Sequence, residues 1–175
     1  IGQRSLIGIN LRMNELTGAY ALAQFRKLDV ILETLRTKKS RFKKIIESAC
    51  LEGLSFRKIN DPGECATLLT IQADDVESAE VVAKALQTKT ISRSGWHVYN
   101  NMEQILAHRD ADGNLLYHRN MLPQTDDILA RSINLSVGVV DPGLGSDFGI
   151  NVLSPDDEID RTAEKFVKIL KPILG

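Results

Sequence analysis

Two polar side chains that could bind an anion lie just ahead of the first helical pattern. The segment GINLRM (residues 8–13) carries Asn10 and Arg12, and helical periodicity begins at Asn14. Amide and guanidinium groups donate hydrogen bonds, and the start of a helix adds free backbone N–H groups. This pattern predicts a phosphate or carboxylate site. The alternative is an asparagine turn followed by an arginine that covers the surface of the helix end.

Other chemically capable residues are not arranged for catalysis or metal binding. His97, His108 and His118 stand eleven and ten residues apart, which is not a metal-ligand spacing. The DADGN run (residues 110–114) places its glycine too early for a calcium loop and lacks the closing glutamate, so it predicts an Asp-Gly turn. Cys50 and Cys65 stand alone. The cysteines therefore predict neither a zinc site nor a disulfide framework, and they favour a reducing cytoplasm.

Charge and hydropathy argue against nucleic-acid and membrane partners. The 175 residues include 22 Lys+Arg and 23 Asp+Glu, for a net charge of −1. No apolar run approaches the roughly 20 residues of a membrane span, and no signal peptide is visible. The basic run RTKKSRFKK (residues 36–44) could contact phosphate. Neutral net charge and missing aromatic interleaving favour the other interpretation, a solvated helix face with Phe42, Ile45 and Ile46 pointing inward.

Periodicity predicts the elements that position these residues. Four helices are expected. The first runs from Asn14 as N-cap to Thr37 and is about 36 Å long. The second runs from an Asp74–Glu77 capping box to Leu86, the third covers PQTDDILARS from Pro123, and the fourth follows Ser154 as N-cap with Pro155 at its first position. Strands are expected over 66–72, 88–93, 133–139 and 148–152, the last two as a hairpin, with a loop over 51–65. The fold class is therefore α/β, in the form of an α+β small domain with helices packed on a small sheet.

The first segment resembles the DegT/StrS-type sugar aminotransferases, which are fold-type I enzymes dependent on pyridoxal 5'-phosphate (PLP). Their pattern is roughly G-x-N-x-R-[MI]-[SN]-E-L, followed by an Ala/Leu-rich helix that ends in Q-[LF]-x-[KR]-L-D. The chain matches it at Gly8, Asn10, Arg12, Met13, Asn14, Glu15, Leu16, Ala21, Gln24, Lys27, Leu28 and Asp29. LPQTDDILARSINLSV and DDEIDRTAEKFVKIL are similar to later family segments. The family's L-P-[LM]-H-P motif is absent, because NLSVGVVDPG stands there.

The resemblance implies a C-terminal small domain that completes an active site across a homodimer. Asn10 would hydrogen-bond the PLP phosphate of the partner subunit, and Arg12 would face phosphate or a substrate anion. His97, beside Trp96, stands where the family carries a substrate loop, so these two residues either contact the sugar or simply pack. The resemblance divides the chain into a loop over 1–13, leading from a PLP-binding domain, and the small domain with its linking helix over 14–175.

The implied function is transfer of an amino group from Glu or Gln to a keto-sugar or keto-cyclitol in the cytoplasm. The family's Schiff-base lysine lies upstream of the matched motif, so no catalytic residue is expected in this chain, and the chain alone is expected to be inactive. Two alternatives stay open: a PLP-dependent sugar dehydratase of the same family, in which histidine replaces the lysine, and a non-catalytic binding or regulatory module of the same fold.

Overall fold

Alternating apolar residues build a three-stranded antiparallel sheet around which the helices pack. A computed structural model describes residues 13–95, 98–138 and 149–175. The strands are β1 (Leu54–Phe56), β2 (Leu68–Ala73) and β3 (Ser132–Ser136), in the order β1-β2-β3. Leu69 lies opposite Leu135, and Ile71 lies opposite Ile133. All four side chains are buried, so this register gives the sheet one apolar face.

Six α-helices surround or extend from this sheet in the described segments. They are α1 (Glu15–Phe25), α2 (Leu28–Ser48), α3 (Val76–Ala85), α4 (Glu103–Leu106), α5 (Pro123–Arg131) and α6 (Asp156–Leu174). The core combines the apolar sheet face with buried side chains of α2, α3 and α6, among them Phe42, Ile46, Val82, Ile159, Phe166 and Leu170. Helices packed on a small sheet confirm the predicted fold class.

The predicted single helix over 14–37 is wrong in both extent and environment. The helix breaks at a turn over Arg26 and Lys27, and α2 then continues to Ser48. The expected apolar stripe does not form one buried face: Leu35 is buried, whereas Leu16 is 83% exposed and Tyr20 is 68% exposed. Asn14 is the N-cap as predicted, since its Oδ1 accepts a hydrogen bond of 2.8 Å from the Thr17 N–H.

Three strand predictions need correction. The predicted loop over 51–65 contains β1, and the predicted strand over 88–93 is instead a 3₁₀ turn at Ile91–Arg93. The strand expected over 133–139 is β3, but Val139 lies outside the described residues. No strand forms over the described part of 148–152. In the described part of the predicted hairpin, the Ile150 N–H donates a hydrogen bond of 2.9 Å to the Ser136 carbonyl, but no ladder of strand pairs forms.

Two helix starts differ from prediction by one residue. The N-cap of α3 is Asp75 rather than Asp74, because Asp75 Oδ1 accepts from the Ser78 N–H over 2.8 Å. The N-cap of α6 is Pro155 rather than Ser154. Ser154 still joins the helix start, because its hydroxyl donates to Glu158 Oε1 over 2.9 Å. The short helix from Pro123 is confirmed as α5.

The Asp-Gly turn forms as predicted around Asp110. Its carboxylate accepts backbone hydrogen bonds from Asp112 and Asn114, and these bonds lower the pKa of Asp110. Gly113 adopts a φ of +86°, which favours glycine. Among the described residues, no group of three His, Cys, Asp or Glu side chains could hold a metal ion, and no helix is long and apolar enough to cross a membrane.

Candidate functional site

The four predicted site residues lie outside the segments that the structure describes. Asn10 and Arg12 precede the first described residue, Met13, and Trp96 and His97 fall between two described segments. Their assignment to phosphate and to sugar therefore stays a prediction. The structure does describe the residues directly after each pair along the chain.

In helix α1, which follows Asn10 and Arg12, polar side chains of the chain itself already interact with the first turn. The Thr17 N–H is bonded to Asn14, and Glu15 places a carboxylate in the first turn. A carboxylate there already complements the positive end of the helix dipole. An anion at this point would therefore be held mainly by the side chains of Asn10 and Arg12.

Helix α1 has no buried residue and presents large apolar side chains to solvent. The exposed set, with the exposed fractions, is Leu16 (83%), Tyr20 (68%), Leu22 (51%) and Phe25 (70%). An isolated helix of 11 residues is marginal in water, because most helical stability in proteins comes from packing. Among the described residues, α1 therefore contributes no side chain to the core.

A hydrogen-bonded network fixes the segment after Trp96 and His97. The Tyr99 hydroxyl donates to Asp126 Oδ2 over 2.7 Å and accepts from the Leu122 N–H over 3.1 Å. Asn100 Nδ2 donates to the other Asp126 oxygen over 2.9 Å. Partial burial and the bond to Asp126 raise the pKa of Tyr99. The network joins this segment to the start of α5.

Asn101 connects the two sides of the Trp96–His97 pair. Its amide donates to the carbonyl of Gly95, immediately before the pair, over 2.9 Å and to the carbonyl of Ser92 over 3.0 Å. Val98, immediately after the pair, is buried. The residues on both flanks of the predicted substrate loop are thus held in place.

The basic run over 36–44 is not a fully solvated face, because most of its cations are engaged within the chain. Phe42 and Ile46 point into the core as predicted, and Ile45 is half-buried. Of the six basic residues, five are engaged within the chain. Arg36 and Lys38 donate to backbone carbonyls. The other three form ion pairs: Lys39 with Glu64, Arg41 with Asp156 and Asp160, and Lys43 with Glu47. Most of the run therefore ties α2 to its neighbours.

A comparison with known protein families covers most of the chain. The model of the DegT/DnrJ/EryC1/StrS aminotransferase family matches residues 2–141. The chain belongs to this family. The DegT/StrS resemblance noted in the sequence is thus confirmed, and the family is one of PLP-dependent aminotransferases. The matched range includes all four predicted site residues and the network around Tyr99.

Asn10 and Arg12, which we call the predicted PLP clamp, carry hydrogen-bond donors that suit the phosphate of PLP. An amide and a guanidinium can both donate to a phosphate dianion, and charge-assisted bonds of this kind are the stronger ones. Its fit to PLP is a prediction from the residue types of Asn10 and Arg12.

Sequence reasoning missed the residues that position the predicted substrate loop of this family member. Tyr99, Asn101 and Asp126 were not singled out, although the Tyr-Asn-Asn run directly after His97 and Val98 is a visible cluster of polar side chains. The bond from Tyr99 to Asp126 joins residues 27 apart in the sequence, so no local pattern could have predicted it.

Proposed function

We propose that this chain is the C-terminal part of a cytoplasmic PLP-dependent aminotransferase that transfers an amino group from Glu or Gln to a keto-sugar or keto-cyclitol. The observation that carries the proposal is the family match over residues 2–141. The family motif around Asn10 and Arg12 supports it further. In this proposal residues 1–13 lead from the PLP-binding domain, and residues 14–175 form the small domain.

The proposed roles follow from the side-chain chemistry. When bound, PLP supplies the electron sink for amino-group transfer. Asn10 donates to the PLP phosphate of the partner subunit, and Arg12 neutralises phosphate or a substrate anion. His97 and Trp96 contact the sugar, in a loop whose flanks are held by Asn101 and Tyr99. No residue of this chain forms the covalent link to the cofactor.

The exposed apolar side chains of α1 support the proposed homodimer and upstream domain. Leu16, Tyr20 and Phe25 are largely exposed. Burial of large apolar side chains is the main source of stability in permanent interfaces. In the proposed enzyme these side chains pack against the PLP-binding domain or the second subunit, directly after the loop that carries Asn10.

A heterodimer experiment tests the role of Asn10 across the interface. One subunit carries Asn10→Ala, and the other lacks the upstream cofactor-linking lysine. If Asn10 acts on the partner subunit, each heterodimer regains one working site, which combines the lysine of the first chain with Asn10 of the second. Inactive, verified heterodimers would mean that Asn10 acts in its own subunit or outside any site.

The upstream residue and the isolated chain test the reaction class. Lysine at the cofactor-linking position would support the aminotransferase. Histidine at that position would instead support the sugar dehydratase. The 175-residue chain alone should bind PLP weakly or not at all, since the covalent link is assigned upstream. An absorbance band of enzyme-bound PLP that borohydride abolishes would contradict this proposal.

A further inference from the structure

A cavity of about 270 Å³ lies between α2 and the segment after β1. We call it the basic cavity. Four basic side chains line it, with two carboxylates: Arg36, Lys39, Lys43 and Arg57 against Asp61 and Glu64. Its lining thus carries two more positive than negative groups, in a chain whose net charge is −1.

Internal bonds neutralise only part of this charge. Lys39 is 7% exposed and pairs with Glu64, which cancels one cation against one carboxylate. Arg36 donates to the uncharged carbonyls of Gly63 and Glu64 over 2.8 and 2.9 Å, so its position is fixed but its charge is retained. Buried and fixed cations raise the electrostatic potential of a concave site more than mobile surface ones do.

Two further cations remain able to contact a ligand. Arg57 is exposed, and its side chain makes no hydrogen bond or ion pair within the described segments. Its backbone is anchored, because the Arg57 N–H donates to the Thr70 carbonyl over 3.0 Å. Lys43 lies 3.1 Å from Glu47, but both side chains are more than a third exposed, so this pair is weak and can exchange partners.

We propose that the basic cavity binds the phosphate group of a small phosphorylated metabolite, with Arg57 and Lys43 as the direct donors. A phosphate dianion complements the positive lining, and guanidinium and ammonium groups are its usual protein donors. The volume is slightly below that of drug-sized sites, about 300–1,000 Å³, so the ligand is small. Asp61 at the cavity disfavours binding of an anion, and Arg57 and Lys43 must outweigh it.

This site uses other residues than the proposed PLP clamp. Its donors belong to α2 and the segment after β1, not to the loop that carries Asn10 and Arg12. The proposal therefore does not depend on the aminotransferase reaction. It assigns a second, non-catalytic ligand site to the small domain.

Titration of the 175-residue chain with inorganic phosphate at low salt, measured by calorimetry, tests the proposal. We expect saturable binding of one phosphate per chain. Loss of one charge-assisted hydrogen bond should weaken it about ten- to a hundredfold in Arg57→Gln and in Lys43→Gln. The chain offers matched controls in Lys58→Gln and Lys44→Gln, which remove the same charge from the adjacent residue outside the cavity. These controls should change the affinity less than about twofold.

Further arms separate a specific site from a diffuse charge effect. Glycerol 3-phosphate should compete with phosphate and bind better above its second pKa of about 6, because the dianion then predominates. Acetate should compete poorly. Absence of saturable binding, equal effects of the cavity and control variants, or acetate binding as tight as phosphate would each overturn the proposal. Unchanged thermal unfolding of Arg57→Gln and Lys43→Gln would confirm that a loss of binding is not a loss of fold.

Discussion

Arg41 and Asp160 join the two longest helices through a paired hydrogen bond. Nε and Nη2 of Arg41 each donate to one carboxylate oxygen of Asp160 over 2.6 Å. Arg41 Nη1 adds a bond of 2.9 Å to Asp156. This forked geometry is stronger and more directional than a single surface ion pair. It fixes how α2 and α6 meet at the surface above the core.

The Arg41–Asp160 pair predicts a pH-dependent part of the stability. The hydrogen bonds from Arg41 lower the pKa of Asp160 in the folded chain, so the contribution is complete above the unfolded pKa of about 3.9. It is lost as the pH falls through the folded pKa. Asp160→Asn should therefore lower the urea midpoint at neutral pH, and its difference from the wild type should shrink below about pH 4.

The control for this prediction is Glu164→Gln, on the same helix. Glu164 is exposed and forms no ion pair within the described residues. Its substitution should leave the urea midpoint nearly unchanged at every pH. A difference between Asp160→Asn and wild type that stays constant down to about pH 2 would show that the paired bond does not carry the acid dependence.

Two phenylalanines on helices predict opposite outcomes of the same substitution. Phe166 on α6 is 0% exposed, and Phe25 on α1 is 70% exposed. Phe166→Ala should destabilise the chain by about 3–5 kcal/mol through lost burial and a cavity. Phe25→Ala should change the stability of the isolated chain by less than about 0.5 kcal/mol. Chemical denaturation measures both, and a large loss for Phe25→Ala would show that α1 packs within this chain.

Tyr99→Phe isolates the hydroxyl that ties the predicted substrate loop to α5. The ring is kept, but the donor to Asp126 and the acceptor for the Leu122 N–H are lost. We expect faster hydrogen exchange at the Leu122 amide, and loss of a phenol that ionises above the ordinary pKa of about 10. Tyr117→Phe is the matched control. Equal exchange at Leu122 in both variants would mean that the hydroxyl does not hold this segment.

The basic run predicts no tight binding to nucleic acid. Most of its cations are engaged within the chain, and Lys44 is the one without a partner among the described residues. Binding to DNA or RNA at physiological salt should be no tighter than the non-specific range of about 10⁻⁴–10⁻⁶ M. Fluorescence anisotropy measures this. A salt-dependent Kd well below a micromolar would contradict the prediction that these cations are held by partners within the chain.

The long amphipathic helix α6 was predictable from the sequence, whereas the extent of α2 and short or unmarked features were not. The buried stripe of α6 follows helical periodicity over 19 residues. By contrast, β1 has only three residues and lies among turn-forming ones. The helix break at Arg26 and Lys27 contains neither Gly nor Pro. Thr88–Arg93 is predicted as a strand but forms a 3₁₀ turn at Ile91–Arg93.

One helix end was hard to predict for a specific physical reason. Cys50 after α2 adopts a φ of 48°, a left-handed conformation in which glycine is the usual residue, so without glycine the sequence does not signal this end. The end of α3 was predicted at Leu86 and lies at Ala85, although Gln87 after it has a φ of 54°. The candidate site was recognised through a motif and not through geometry, because Asn10, Arg12, Trp96 and His97 carry chemistry that periodicity cannot assign.

The three-residue length of β1 has a consequence for self-association. The outer edge of a sheet offers unpaired N–H and C=O groups that can recruit a strand from another molecule. Here that edge is short, Gly53 with a φ of +69° precedes it, and Arg57 and Lys58 follow it directly. Little backbone is therefore open to an incoming strand, and two positive charges stand at its end. The brevity of β1 protects this edge of the sheet against edge-to-edge aggregation.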